Sequence, residues 1–299
     1  MKNIFRVYKA LSDETVWDGN IDWLHNTSVV IEHINKTYKT DATRLNYFKS
    51  IVSILKRLKG YEDLSKIYSK EMTQLKIKVD EKAGSNKLTQ REEKNFVQWS
   101  ELASLDQFDT DEDRLLHALY TAIPPRRHDY KYLKLVKIKQ QKKKQTLDKN
   151  FNWLVLNKQG NPIEIIINNY KTKKRYGTFT IDLRQSDQLP IFNFSKIRNI
   201  IKKFVSSSGI NSGELVFPTT DGKVYTTFSR RIEYVFRSTG KNVSSNILRH
   251  SFITHYSNKN ISLNTIKLLA KYLGHSPTEF LSYRKLNAEE LMSRIKEEE

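Results

Sequence analysis

The first hundred residues are patterned for helix. Leu45, Phe48, Val52, Leu55 and Leu58 recur at helical spacing and define one apolar face, flanked by Arg44, Lys49, Lys56, Arg57 and Lys59. The polar stretch 83–93, with Gly84 and Ser85, reads as a linker. It divides the chain into a helical N-terminal part, residues 1–90, and a larger part, residues 91–299. The spacing predicts a further helix from Asp111 to Ala122. It opens Asp-Glu-Asp, acidic where the helix dipole is positive.

A β region follows. Trp153–Leu156, Ile163–Tyr170 and Thr178–Leu183 are short apolar or alternating runs. A turn signal at 157–162 and a basic turn at 171–177 separate them, which predicts a small antiparallel sheet with a lysine-rich hairpin tip. Helical patterning resumes after Leu189. Ser262 is placed to cap an amphipathic helix that ends at Gly274. Ser276, Pro277, Thr278 and Glu279 have the form of a capping box with Pro at the first helical position, and the helix so started carries Tyr283 about two turns in. Ala288, Leu291, Met292 and Ile295 form a last apolar stripe that must dock somewhere. The expected class is mainly α with a small antiparallel β-sheet, an α+β chain in two parts.

Charge changes the picture. The 299 residues hold 52 Lys+Arg against 33 Asp+Glu, a formal charge of +19. A surplus of this size points to nucleic acid or an anionic membrane. Residues 1–100 hold 18 basic and 13 acidic residues, so most of the excess lies beyond them. The densest run, Lys131 to Lys149, includes Lys134, Lys137, Lys139, Lys142, Lys143 and Lys144, and reads either as a solvated loop or as a phosphate-contacting segment. The 14 Phe, 15 Tyr and 4 Trp suffice for a core, which excludes a wholly disordered basic tail. There is no cysteine, so disulfide scaffolds, Cys-based zinc or iron–sulfur sites and Cys nucleophiles are excluded. No apolar run approaches the roughly 18 residues of a membrane span, and the N-terminal residues lack the apolar core of a signal peptide.

The most specific pattern lies near the C-terminus. Leu248, Arg249 and His250 open a helical run; Leu273, Gly274 and His275 follow; then comes Tyr283. Arg249 and His275 are 26 positions apart, His275 and Tyr283 are 8 apart. This order resembles the C-terminal signature of the tyrosine recombinases and integrases. The resemblance extends upstream to Pro124-Pro125-Arg126-Arg127-His128-Asp129, where Arg126 matches the family's first Arg at the start of a helix, with Asp129 as its orienting carboxylate and Arg127 as the competing assignment. Lys171, with Lys173 and Lys174 as neighbours, matches the family's Lys on a β-hairpin.

The resemblance covers roughly residues 100–299. It implies a two-lobed, C-shaped clamp on double-stranded DNA, with residues 1–90 as a DNA-binding domain and 91–299 as the catalytic domain. It also implies breaking and rejoining of DNA through a 3′-phosphotyrosine. Tyr283 would attack, Arg126, Arg249 and His275 would hold the phosphate, and Lys171 would protonate the leaving 5′ oxygen. Arg127, Lys134, Lys137, Lys142, Lys143, Lys144, Lys173 and Lys174 are expected to hold the duplex. No metal or other cofactor is expected. Homo-tetramers on two duplexes are implied, and docking of the C-terminal stripe on its own domain or on a neighbouring protomer stays open. The chemistry agrees: a phenol with a pKa near 10 needs its charge stabilised, and two guanidinium forks suit a phosphate gaining equatorial charge.

Asn246 departs from the pattern, standing where many members have His. Its amide can donate to phosphate but cannot shuttle a proton. A topoisomerase of type IB and a catalytically silent DNA-binding protein are therefore the competing readings. His250 and His255 read as structural. The expected setting is intracellular, wherever the target DNA lies: a prokaryotic cytoplasm, a nucleus or a viral factory. The Lys- and Asn-rich composition is compatible with a mobile element or a virus.

Overall fold

The structure is a computed structural model, and it describes residues 2–12, 14, 16–85, 87–138, 146–185, 191–259 and 261–284. The chain divides into two compact units, Met1–Ser85 and Asn86–Glu299. Lys139, Lys142, Lys143 and Lys144 lie outside the described residues, as does the apolar stripe at 287–295.

The first unit is helical: α1 (Lys2–Ser12), α2 (Thr27–Thr37), α3 (Asp41–Leu55) and α4 (Glu62–Gly84). Thr40 caps α3 by accepting from the Thr43 amide. The face anticipated from spacing is the buried one: Leu45, Phe48, Val52 and Leu55 pack with Ile4 and Val7 of α1, Val30 and Ile34 of α2, and Tyr68 of α4. Leu58 falls past the end of α3 and is exposed.

In the second unit α5 (Gln90–Asn95), α6 (Trp99–Ser104) and α7 (Asp111–Thr121) precede the strands. The stretch 83–93 is not a continuous linker. Thr89 and Glu92 form a reciprocal capping box that starts α5, because each side chain satisfies the other's free amide. The acidic start of α7 has a second use: Glu112 pairs with Arg231 at 2.9 Å, and buried Asp113 pairs with the same guanidinium.

The strands are β1 (Leu133–Lys137), β2 (Asn152–Leu156) and β3 (Pro162–Ile167), then the one-turn helix α8 (Lys173–Tyr176), then β4 (Phe179–Asp182). They form one sheet in the order β1-β2-β3-β4. The pairs β2–β3 and β3–β4 are antiparallel, but β1 pairs with β2 in parallel. The sheet is therefore mixed, a correction to the antiparallel expectation, and part of the lysine run is strand. Leu133 and Leu135 turn inward while Lys134 and Lys137 are more exposed. A parallel neighbour is not joined by a tight turn, so no hairpin signal announces it.

Helices α9 (Phe194–Ser208), α10 (Phe228–Val235), α11 (Ser245–Ser257), α12 (Leu263–Leu273) and α13 (Pro277–Ser282) complete the unit. Its core joins Leu115, Leu116 and Leu119 of α7 to Leu154, Ile165 and Ile181 of the sheet, and to Ile201, Leu248 and Phe252 of α9 and α11. The Ser262 cap and the Ser276–Glu279 capping box are both present. However, α13 is a helix of 6 residues, so Tyr283 is its C-terminal cap and not a residue two turns within it. No helix among the described residues is long and apolar enough to cross a membrane.

Candidate active site

Arg126 and Arg127 leave the end of α7 in a loop, not at the start of an α-helix; a single 3₁₀ turn, Asp129–Tyr132, follows. Tyr120 on α7 fixes this loop by donating to the Arg127 carbonyl. Arg126 is 1% exposed. Its Nε donates to Asp129 Oδ2 at 2.6 Å and its Nη1 to the Tyr272 carbonyl at 2.5 Å. Tyr170 and Phe179 present ring faces to it at 4.9 and 5.6 Å. The Arg126–Asp129 pairing and its spacing are as anticipated.

Arg249 sits on α11 and is 0% exposed. Its Nη1 donates to the carbonyls of Pro125 and Leu273 at 3.0 and 3.1 Å, and its Nη2 contacts His275 Nε2. Its partners are neutral, and burial followed by the nearby cations Arg127 and Arg126 lowers its pKa to about 10. Its Nε has no hydrogen-bond partner.

His275 follows Gly274, which ends α12 at φ +71°. The left-handed backbone requires glycine there, and a Cβ would also stand a tight 3.3 Å from Thr172 Oγ1. Because Arg249 donates to Nε2, the His275 proton belongs on Nδ1, which is buried without a partner. Burial, then Arg249, Arg127 and Arg126, push His275 down to about 2. Two buried donors, Arg249 Nε and His275 Nδ1, are thus left for an acceptor.

Tyr283 lies against these groups. Its ring is 4.6 Å from the His275 ring and stacks on His250 at 4.8 Å, and the Arg249 guanidinium lies 5.4 Å from its centroid. Arg127 Nη2 donates to its hydroxyl at 2.9 Å. His250, which the sequence marks only as structural, donates from Nδ1 to the Tyr283 carbonyl at 2.8 Å, and its Nε2 lies 3.2 Å from Glu92 on α5.

Lys171 is exposed in the connection between β3 and β4. Next to it, Thr172 donates to the Gly274 carbonyl at 3.1 Å and ties the hairpin to the Leu-Gly-His turn. Buried Asn152 on β2 holds the same region together. Its amide donates to the carbonyls of Asp129 and Asn169, and its oxygen accepts from the amides of Asn168 and Asn169. No sequence pattern singles out Asn152, since its partners are distant in the chain.

An open cleft of about 800 Å³ is lined by Arg91, Arg127, Lys131, Lys171 and Asn246, with the carboxylates Glu92, Asp129 and Glu233 also on its wall. Lys134 instead places its ammonium 3.9 Å from the centre of the Phe151 ring, and Lys173 donates to the Lys149 carbonyl at 3.3 Å. Lys137 and Lys174 are exposed away from the cleft lining. Among the described residues no group of three or more His, Asp or Glu is arranged to hold a metal.

The buried imidazoles set an acid limit. His275 is pushed down to about 2, and His117, buried on α7, to about 4. Unfolded, both take up a proton near pH 6.5. Between those values the unfolded chain binds more protons, so stability is full above about pH 6.5 and is lost as pH falls below it. The unfolding temperature is expected to drop steadily from pH 6.5 to 4.5. A flat profile over that window would contradict the buried neutral state.

No family model matches the chain, and no curated protein does. Solved structures do. The chain is similar to the Tn1549 transposon integrase in complex with transposon right end DNA: 14% identity over 99% of this chain and 92% of that one, with a TM-score of 0.50. The same integrase with circular intermediate DNA matches at 14% identity and 0.49, and XerA recombinase at 13% identity and 0.40 over 98% of its chain. At these identities the likeness concerns the fold alone: the chain shares the fold of a solved transposon integrase.

Proposed function

We propose that the chain is a site-specific DNA recombinase or integrase that cleaves and rejoins duplex DNA through a 3′-phosphotyrosine on Tyr283. The observation that carries this reading is the convergence on one phenol. Tyr283 meets His275 and Arg249 through its ring and Arg127 through its hydroxyl, with Arg126 held beside them by Asp129. A buried guanidinium with only neutral partners and a buried, unpaired imidazole N–H call for an acceptor. A phosphate offers acceptor oxygens to donors of this kind and gains charge as it is transferred, so such donors stabilise the transition state more than the ground state.

In this mechanism Tyr283 Oη attacks the phosphorus and the 5′ oxygen leaves. Lys171, on the exposed hairpin at the cleft wall, supplies the leaving oxygen's proton. Asn246 lines the same cleft and is suited to donate to a nonbridging oxygen. The remaining cleft cations, Arg91 and Lys131, hold the backbone. The N-terminal unit is assigned to DNA binding, and the working assembly to a homo-tetramer on two duplexes.

The test is covalent trapping. A pool of nicked suicide duplexes, randomised around the nick, is incubated with the full chain, and adducts are isolated under denaturing conditions. A peptide carrying nucleotide on Tyr283 is expected. No adduct from the pool would favour the silent DNA-binding reading, and relaxation of plasmid without strand exchange would favour a topoisomerase.

The Lys171 assignment has its own check. Lys171→Ala is expected to slow adduct formation by about 10²-fold, within the range for a general acid. A duplex with sulfur in place of the 5′ bridging oxygen has a leaving group that needs no proton. On that substrate the Lys171→Ala rate should return to within a few-fold of the unsubstituted protein. Failure of this rescue would move the proton donor elsewhere.

A further inference from the structure

The resemblance leaves Arg127 as the competing first arginine or as a contact to the duplex, yet its guanidinium reaches the proposed nucleophile. Arg127 Nη2 donates to Tyr283 Oη at 2.9 Å across 156 positions of sequence. Its neighbour Arg126 is occupied by Asp129 and the Tyr272 carbonyl. Arg127 has no such partner: among the described residues no carboxylate lies within ion-pair distance of it. Its backbone is anchored by Tyr120, so the guanidinium is aimed from a fixed loop. The phenol is equally fixed, stacked on His250 and held at its carbonyl by the same ring.

The geometry points to Arg127 as a catalytic residue that stabilises the Tyr283 phenolate, rather than as one more contact to the duplex backbone. This rests on the proposed function and deepens it. A phenol with a pKa near 10 is about one part in a thousand phenolate at pH 7. A guanidinium hydrogen-bonded to the oxygen favours the charged form directly. An obvious alternative base, His275, is poorly suited to accept the proton. Burial and the surrounding arginines, Arg127 among them, hold it neutral down to a pKa of about 2. The balanced step is then plain. The phenolic proton passes to solvent water in the cleft that Arg127 lines, and the bond between Oη and phosphorus forms as the bond from phosphorus to the 5′ oxygen breaks. The 5′ oxygen takes its proton from Lys171.

The experiment uses the full chain and a duplex recovered from the trapping pool, with sulfur at the 5′ bridging position so that leaving-group protonation does not enter. Single-turnover adduct formation is followed from pH 6 to 10 for the unsubstituted protein, Arg127→Gln and Arg127→Lys, with DNA affinity measured in parallel. Arg127→Gln is expected to be about 10²-fold slower at pH 7, the size of losing one oxyanion donor. Its deficit should narrow as pH rises toward phenol ionisation, with DNA affinity within threefold. Arg127→Lys should recover part of the rate. An unchanged rate overturns the proposal, and so does a deficit that is constant with pH or confined to affinity; in each case the trapped adduct leaves the proposed function standing. If the unsubstituted protein forms no adduct, the proposed function falls and takes this inference with it.

Discussion

Tyr283→Phe is expected to give a folded protein that binds DNA as before and forms no covalent adduct at all. The substitution removes one oxygen. The ring keeps its stacking on His250 and its contact with His275, and the backbone carbonyl keeps the His250 hydrogen bond. What is lost is the acceptor for Arg127, a partly exposed contact that contributes about 1 kcal/mol to stability. Chemistry has no fallback, because a benzene ring offers no nucleophilic atom. Denaturing gels on the trapped duplex read the adduct, and thermal unfolding reads the fold. An adduct that persists in Tyr283→Phe would remove Tyr283 from the mechanism.

The second large effect concerns Arg249. Arg249→Ala would strand the carbonyls of Pro125 and Leu273 and leave His275 Nε2 without its donor, all in a buried setting. Each unsatisfied buried group costs about 1–3 kcal/mol, so this variant is expected to be unstable as well as inactive. Arg249→Lys separates the two. An ammonium keeps the charge and reaches some of these acceptors, but it cannot present a planar fork to phosphate. It is expected to fold, to bind DNA within a few-fold, and to form adduct about 10²–10³-fold more slowly. A rate within threefold of the unsubstituted protein would show that Arg249 is a structural buried cation and nothing more.

The legible parts of this molecule are the local ones. The capping residues Ser262 and Ser276, the glycine that ends α12 and the buried face of α3 all follow from spacings of a few residues. The pairing of Arg126 with Asp129, three positions along, is likewise local. What escaped depends on distant partners. β1 is hidden because its parallel neighbour β2 lies far along the chain and because Val136 and Lys137 break its alternation. His250 reads as structural until Glu92 and Tyr283 are seen on either side of it. Arg126 and Arg127 are adjacent in the chain, yet one turns inward to Asp129 and the other reaches Tyr283, a division that only the path of the loop after α7 decides.

The hydrogen bond from Thr172 to the Gly274 carbonyl makes one joint of two segments that lie a hundred residues apart and that carry the proposed acid and a proposed phosphate ligand. Lys171 precedes the donor and His275 follows the acceptor. The hairpin and the turn are therefore not interchangeable parts. A chimera that imports another hairpin without a hydroxyl at position 172 would lose its seat on the turn, and one that imports a turn without glycine at 274 would strain the left-handed backbone there and crowd Thr172. Drift in this family of shapes should accordingly treat the pair as a single inherited unit, exchanged together or not at all.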